Sequence, residues 1–543
     1  MFSQLTRWIK YSIVGAMALT IALFVLAAAS FAQGEIKPIN SGFDPVTHAF
    51  SFENYGGDSG ATNLTPVEMV RLFGDKVCAS KAGGACLLSP VAKQWMEEIN
   101  QAMNGGHCEG MAVLSALMYT GKIKPADFGG AQVKDLQIAG NEKLQREIAY
   151  WWATQTTQPT RGAVLKGPPS AVVAFLADAF KPGKSADITY SVGIYKRDGT
   201  GGHAVTPYAI EDKGGGIFAI MVYDNNFPNL PREILVDVNK NIWQYEASIN
   251  PGVPAALYEG DADTKSLDLT PSAPRLEAQV CTFCEGATTG YRGPGVAAPV
   301  TPFNEIHING GGVRVLITDA QGRRLGRIAG KLVNEIPGAE VATIKSLDTW
   351  SLTTEPIYRI PLGVKFVITL DGAELKKETQ AEIAMIGPGY ALEVQDIKLA
   401  PGQKDTLDVA PDGSKLSYKP GASESPDIVI AIEGKDNVDY EFFVKGFELE
   451  TGGALNVALD VKKGQLLLST VGNKQAGAYV LAIGRYDAQG IQEFGGELKL
   501  EPADTVYVDY LKWQGNGKPM TVEIDYKSDG SIDETVELED LNK

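Results

Sequence analysis

The sequence is short of histidine, cysteine and positive charge, and each shortage excludes a class of protein. Only four histidines occur in 543 residues, too few for a histidine-rich metal site. The 49 basic residues are outnumbered by 66 acidic ones, and the net charge of −17 argues against a nucleic-acid partner because phosphate binding needs a basic surface. The hydrophobic share of 44% and the charged share of 21% are close to globular averages, which excludes wholesale disorder.

Long apolar runs are missing everywhere except near the N-terminus. Arg7 and Lys10 precede or flank the run YSIVGAMALTIALFVLAAAS, and Ser30-Phe31-Ala32 supplies small residues at the −3 and −1 positions of a cleavage site. This pattern predicts a cleaved signal peptide over residues 1–32 and a secreted or extracytoplasmic protein. Because the run of about 20 residues is long enough to span a bilayer, an uncleaved N-terminal membrane anchor is the alternative.

The five cysteines are an odd number, so pairing leaves one thiol over. Cys78 and Cys86 flank a short flexible loop and predict a local disulfide. Cys281 and Cys284 lie in VCTFCEG without the second pair that a zinc site needs, which favours a disulfide, either between themselves or with another region. A redox role for this pair is the alternative, although such motifs normally open a helix after a strand.

An acidic segment near the C-terminus resembles a calcium-binding loop. In DYKSDGSIDETVE, Asp525 and Gly530 fit the expected pattern, but Lys527 stands at a ligand position and Val536 stands where a bidentate Glu is expected. We therefore interpret residues 525–536 as a surface turn. No metal or cofactor is predicted for the chain.

Hydrophobic periodicity predicts a multidomain chain that begins with helices and continues with strands. Five segments between residues 64 and 180 have apolar residues at helical spacing, and from Asp187 onward the period changes to two. After the signal peptide we predict an α+β domain, a Pro/Gly-rich linker that carries the second cysteine pair, and two β-sandwich domains of the immunoglobulin-like kind. Their predicted bounds are 33–260, 261–303, 304–438 and 439–543.

The unpaired cysteine belongs to a pattern that is typical of nucleophilic catalysis. Cys108 follows a Gly-Gly turn at the start of an apolar helix, where the helix N-terminus stabilises a thiolate. His203 opens a strand, and the strand after it ends at Asp224 and Asn225. In an antiparallel hairpin, His203 would lie near Asp224, so the three side chains can act as nucleophile, base and orienting group.

This order of residues resembles that of papain-like cysteine peptidases, and the resemblance covers about 220 residues within 33–260. The resemblance implies that Cys108 is the nucleophile, His203 the general base and acid, and Asp224 the orienting residue, with Asn225 as the alternative. It also implies an amide donor for the oxyanion shortly before the nucleophile, for which Gln101 and Asn104 are the candidates.

Three departures from the papain pattern place the chain in a divergent secreted branch. Gln101 is one residue too far from the nucleophile, Glu109 replaces the usual aromatic, and DNN replaces Asn-Ser-Trp. The resemblance implies that the protein is an exported cysteine peptidase that acts on proteins or peptides. The β domains would hold it at a cell surface or envelope.

Two other functions fit parts of the same pattern. GHCEGMAVLSALMYTG also resembles the cysteine helix of transglutaminase-like acyl transferases, although those domains usually carry an aromatic where this chain has Ala204. A non-catalytic cell-surface adhesion or binding protein with an inactive peptidase-like domain is the third hypothesis. Reactivity of the Cys108 thiol distinguishes the last hypothesis from the first two.

Overall fold

The computed structural model describes most of the chain after residue 35. The described residues are 36–81, 84–182, 189–199, 201–247, 256–284, 302–346, 355–434, 437–460, 462–513 and 518–541. The predicted signal peptide, residues 1–32, lies outside them. None of the helices in the described part of the chain has the length and apolar character that a bilayer crossing requires.

Five α-helices occur within the described residues, at the places where the helical periodicity predicted them. Their first turns explain their start points: Thr65 and Glu68 form a capping box, and the Ser89 hydroxyl accepts the N–H of Ala92. The helices are α1 Pro66–Phe73, α2 Pro90–Ala102, α3 Cys108–Tyr119, α4 Glu142–Ala153 and α5 Pro169–Ala179.

A nine-stranded antiparallel sheet packs against helices α3 and α5. Its strand order among the described residues is β10-β9-β8-β7-β6-β5-β11-β4, with β1 paired to β6, while β2 and β3 form a separate hairpin. The strands are β1 Ile39–Asn40, β2 Cys78–Ser80, β3 Leu87–Leu88, β4 Leu165–Lys166, β5 Tyr190–Tyr195, β6 Gly202–Gly214, β7 Ile217–Tyr223, β8 Pro231–Asp237, β9 Ile242–Ala247, β10 Ala256–Asp261 and β11 Leu267–Pro271.

The remaining strands form one continuous antiparallel network of twenty strands in the described residues. Hairpins of consecutive strands are joined by longer-range pairings such as β20 with β23 and β24 with β27. The strands are β12 Phe303–Asn309, β13 Arg314–Asp319, β14 Arg324–Ile328, β15 Lys331–Asn334, β16 Glu340–Ala342, β17 Ile357–Pro361, β18 Phe366–Asp371, β19 Thr379–Gly387, β20 Tyr390–Leu399, β21 Lys404–Val409, β22 Lys415–Lys419, β23 Asp427–Ile432, β24 Asp439–Lys445, β25 Ala454–Asp460, β26 Gln465–Val471, β27 Gly477–Asp487, β28 Gly490–Leu500, β29 Thr505–Asp509, β30 Met520–Asp525 and β31 Glu534–Asp540.

The predicted fold class, an α+β papain-like domain followed by β-sandwich domains, is wrong. Within the described residues the structure is mostly β, with 43% of them in strands and 20% in helices, and the helical region is small. One hydrophobic core extends from Ile306 to Leu538 through the whole twenty-strand network. The physical reason is that the alternation of apolar and polar residues identifies a strand and its buried face, but does not show which strands, often distant in sequence, pair with it.

The first sheet and the helical core both extend past residue 260, where the predicted linker begins. Strand β11 pairs with β5 on one side and β4 on the other. The disulfide between Cys281 and Cys284 encloses Phe283, whose ring stacks on Trp95 at a centroid distance of 5.1 Å. Residues 285–301 of the predicted linker lie outside the described residues.

The helical region is fixed to the large sheet by packing and by a hydrogen bond from a buried arginine of the sheet. Helix α2 packs against β19, β20, β23 and β24. Arg359 on β17 is fully buried, where its Nε donates to Glu305 Oε1 at 3.1 Å and its Nη2 donates to the Thr156 carbonyl at 3.0 Å. Residues 343–346, just after β16, lie against the start of helix α3.

Candidate active site

Helix α3 places Cys108 at its first turn, deep inside the protein. The residue before its N-cap, Gly106, has a φ of 135°, a conformation that favours glycine. Gly110 is also required, because a Cβ there would collide with the carbonyl oxygen of Ile148 on helix α4. The thiol of Cys108 is 0% exposed and packs against Ala112 and Ala204, whose small side chains leave room for it.

Strands β6 and β7 bring His203 and Asp224 together. His203 is the second residue of β6, and Asp224 directly follows β7, which pairs with β6 in an antiparallel register. His203 Nε2 is 2.7 Å from Asp224 Oδ1. The Asp224 carboxylate also accepts the Tyr245 hydroxyl and the N–H of Asn226, the latter at 2.9 Å. The imidazole is therefore held in one orientation by a fully buried carboxylate.

The electrostatics of this pair favour a charged imidazole near neutral pH. Burial lowers the pKa of His203, but the charge and hydrogen bond of Asp224, together with the neighbouring Cys108 thiol, outweigh it and raise the pKa to about 10. Burial likewise raises the pKa of the Asp224 carboxyl, and the facing imidazole lowers it below its ordinary value. His203 Nδ1 makes no hydrogen bond of normal geometry with any group in the described residues. That nitrogen remains available to the neighbouring Cys108 thiol, whose interaction with the imidazole contributes to the raised His203 pKa.

Asn225 does not contact the imidazole. It joins helix α3, which carries the thiol, to strand β6, which carries the imidazole. Its Nδ2 donates to the carbonyl oxygens of Cys108 and Ala204, each at 3.0 Å. Both acceptors are buried, so the side chain fixes the start of α3 against β6. Of the two residues considered for the third position, Asp224 is the one beside His203.

A peptide segment of the same chain fills the space in front of the thiol. This cleft segment, residues 343–346, follows β16. The Cys108 thiol donates to the Lys345 carbonyl oxygen at 3.5 Å. The Gln155 side chain holds the same residue at two points, because its Nε2 donates to that carbonyl oxygen at 3.5 Å and its Oε1 accepts the Lys345 N–H at 2.8 Å. A thiol and an amide donor thus converge on one peptide carbonyl.

The predicted oxyanion donors Gln101 and Asn104 do not contact this carbonyl. Gln101 Nε2 donates instead to Glu382 Oε2 at 3.3 Å. Both residues line a cavity of about 280 Å³ that also borders Thr343 and Ser346. Gln155, which does contact the carbonyl, has no local sequence signal, because its position depends on the packing of helix α4 against helix α3.

His107 lies next to Cys108 in sequence but is fully occupied elsewhere. Its ring nitrogens bond to the Tyr55 carbonyl and to Asn63 Oδ1, each at 2.7 Å, and the ring stacks on Tyr55. Burial lowers the pKa of His107 to about 4 despite the hydrogen bond to Tyr55. A neutral imidazole has one N–H and can donate to only one of these two acceptor oxygens at a time. The buried, stacked ring is suited to positioning the turn before α3.

The remaining four cysteines form the two short-range disulfides that the sequence predicted. Cys78 pairs with Cys86 and Cys281 with Cys284, and because all five cysteines are described, Cys108 is left as the free thiol. Disulfides of this kind indicate an oxidising compartment.

The acidic loop at residues 525–536 is organised by its own backbone. The Asp525 carboxylate accepts the N–H groups of Asp529 and Gly530 at 3.0 and 2.9 Å. The described residues contain no cluster of three or more His, Cys, Asp or Glu side chains suited to a metal ion.

The site therefore consists of a buried thiol, an imidazole held by a carboxylate, and an amide donor beside a peptide carbonyl. No protein-family model, no curated protein and no solved structure matches this chain.

Proposed function

We propose that this chain is a cysteine peptidase that hydrolyses peptide amide bonds. One observation carries the proposal: the Cys108 sulfur and the Gln155 amide both lie 3.5 Å from one peptide carbonyl oxygen, beside the His203–Asp224 pair. The predicted signal peptide and the disulfides support export to an oxidising compartment. The proposed substrates are proteins or peptides.

The reaction follows from the positions of these groups. A charged His203 stabilises the Cys108 thiolate, which attacks the carbonyl carbon of the substrate. The oxygen then gains negative charge, and the Gln155 amide and the unpaired N–H groups at the start of helix α3 stabilise it. The C–N bond breaks as His203 gives its proton to the leaving nitrogen, which leaves a thioester on Cys108.

Hydrolysis of the thioester completes the cycle. Neutral His203 accepts a proton from water as the water oxygen attacks the thioester carbonyl. The C–S bond breaks, the acid product leaves and Cys108 is regenerated as a thiolate beside a charged His203. Asp224 stabilises that charged form throughout, and Asn225 keeps the thiol and the imidazole at a fixed separation.

The decisive experiment uses the full chain after residue 32 with casein as substrate. The cleft segment covers the thiol in this chain. A triple variant, in which Ile344, Lys345 and Ser346 are each replaced by Gly, is therefore assayed beside the wild-type chain. We expect amide hydrolysis in at least the triple variant, with a loss of about 1000-fold or more on Cys108→Ala or His203→Ala. His48→Ala, far from the thiol, serves as the matched histidine control and should retain activity.

Two results would overturn the proposal. One is the absence of Cys108-dependent hydrolysis in both chains when circular dichroism shows both to be folded. The other is incorporation of a fluorescent primary amine into casein without hydrolysis, since that result assigns the thiol to acyl transfer.

A further inference from the structure

The Lys345 side chain enters a closed polar pocket beside the thiol. Its side chain is only 4% exposed. Its Nζ is 2.7 Å from Thr270 Oγ1, 3.5 Å from Asp268 Oδ1 and 3.6 Å from Glu109 Oε1. The ammonium donates one hydrogen bond, to Thr270, and the two carboxylate oxygens lie at ion-pair distance, so the pocket matches a basic side chain mainly by charge.

The pocket carries a net negative charge unless a basic side chain occupies it. Glu109 is paired with Arg275, and it also accepts the Ser191 hydroxyl at 3.0 Å. Asp268 accepts the Tyr195 hydroxyl at 3.0 Å through Oδ2, while its buried Oδ1 has no hydrogen bond from any described residue. Removal of the ammonium would leave two buried carboxylates facing one guanidinium, and an uncompensated buried charge is strongly unfavourable.

The cleft also has room for the backbone of an extended peptide on either side of this pocket. Three glycines face three consecutive residues of the cleft segment, and a Cβ on each would collide with the residue it faces. The facing pairs are Gly202 with the Ile344 carbonyl, Gly193 with Lys345 Cε, and Gly105 with Ser346 Oγ. The Ser346 hydroxyl further donates to the Ala102 carbonyl at 2.8 Å. The segment is therefore bound at every residue, in a groove without side chains in its way.

We propose that this pocket selects a lysine side chain on the acyl side of the cleaved bond, and that the chain's own peptide bond between Lys345 and Ser346 is a substrate. The inference rests on the proposed peptidase function and adds its specificity. In the self-cleavage, Cys108 sulfur bonds to the Lys345 carbonyl carbon, the bond to the Ser346 nitrogen breaks, and that nitrogen takes the His203 proton. Water then releases Lys345 as a carboxylate and Ser346 keeps a free amine.

Self-cleavage is tested by incubating the purified full chain at neutral pH and identifying new termini by mass spectrometry. We expect a new N-terminus at Ser346 in the wild-type chain. The signal should fall at least about 100-fold in Cys108→Ala and in Lys345→Gln, since a site built around a polar group discriminates by that much or more. Lys331→Gln changes an exposed lysine of β15 and should leave the cleavage unaltered.

Specificity is tested in trans with the triple-glycine variant, which has no side chain of its own to fill the pocket. The substrates are fluorogenic peptide amides that differ only in the residue before the cleaved bond, which is Lys, Arg or Leu. The value of kcat/KM is measured for each. We expect Lys to exceed Leu by about 100-fold. Asp268→Asn should reduce this ratio at least about tenfold, while Asp263→Asn, on an exposed turn nearby, should leave it unchanged.

The outcomes separate this inference from the proposed function. Cys108-dependent casein hydrolysis without a Lys preference, or without cleavage at Lys345, would overturn the inference and leave the peptidase standing. No Cys108-dependent hydrolysis of any substrate would overturn both.

Discussion

Asp224→Asn is the substitution that tests the charge arrangement of the site most directly. The difference between the ordinary His203 pKa of 6.5 and the raised pKa of about 10 corresponds to about 5 kcal/mol in favour of the charged imidazole. Both side chains are fully buried, so solvent screens little of this interaction. Burial alone would lower the His203 pKa. Loss of the Asp224 charge should therefore leave a neutral imidazole at pH 7.

The expected result is a change in both rate and pH profile. For the proposed hydrolysis by the wild-type protein, kcat/KM should hold until the pH approaches about 10, where His203 loses its proton. In Asp224→Asn, this alkaline limb should move to neutral pH or below, and kcat/KM at pH 7 should fall by about 1000-fold.

The same shift can be measured without a substrate. Because the chain has only four histidines, the imidazole signals in an NMR titration can be assigned one at a time by substitution. The control is Tyr245→Phe, which removes one hydrogen bond to Asp224 but keeps its charge, and should cost no more than about tenfold. An Asp224→Asn variant with an unchanged alkaline limb and activity within tenfold of wild type would refute the reasoning.

Three further predictions concern stability. The pKa of His203 is raised in the folded state, so its contribution to the free energy of unfolding should be complete below pH 6.5 and lost as the pH rises through about 10. The urea midpoint of the wild type should therefore fall between these pH values, and that of His203→Asn should not. Asn225→Ala leaves two buried carbonyls without their donor and should cost about 3 kcal/mol in urea unfolding. Arg359→Leu leaves Glu305 buried without its partner and should lower the free energy of unfolding by about 4 kcal/mol.

Each of these stability predictions has a result that contradicts it. A parallel pH dependence in wild type and His203→Asn would assign the effect to other groups. A cost below about 1 kcal/mol for Asn225→Ala would mean that water replaces its hydrogen bonds. For Arg359→Leu, the double variant with Glu305→Leu is the control, and it should recover most of the lost stability because the unpaired charge is removed.

The parts of the site that the sequence predicts are those set by local structure. His203 and Asp224 belong to one hairpin, so strand alternation and turn position bring them together. Cys108 follows a Gly-Gly turn at a helix start, which is visible in the sequence. Gln155 and Lys345 carry no such signal, because the contact between Lys345 and Cys108 joins residues 237 positions apart.

The fold shows the same division between local and distant interactions. The helix starts at Pro66 and Pro90 follow from their caps. The side chains that α1 buries are less evident from the sequence, because the apolar Val67 is 63% exposed whereas Met69 and Phe73 are buried. Asp268 falls within the predicted linker, yet it belongs to strand β11 of the first sheet. The sequence did not indicate this, because β11 pairs with β5, which is distant in sequence. Alternation alone could not reveal that the later strands share one core.

The buried position of Cys108 affects how readily its thiol is oxidised. A free thiol in a compartment that maintains disulfides is exposed to oxidation and to exchange with other cysteines. Here the sulfur lies beneath residues 343–346, away from solvent, and the four other cysteines are already paired over short loops. The segment that fills the cleft therefore also acts as a chemical shield, which keeps the sulfur reduced until the cleft is vacated.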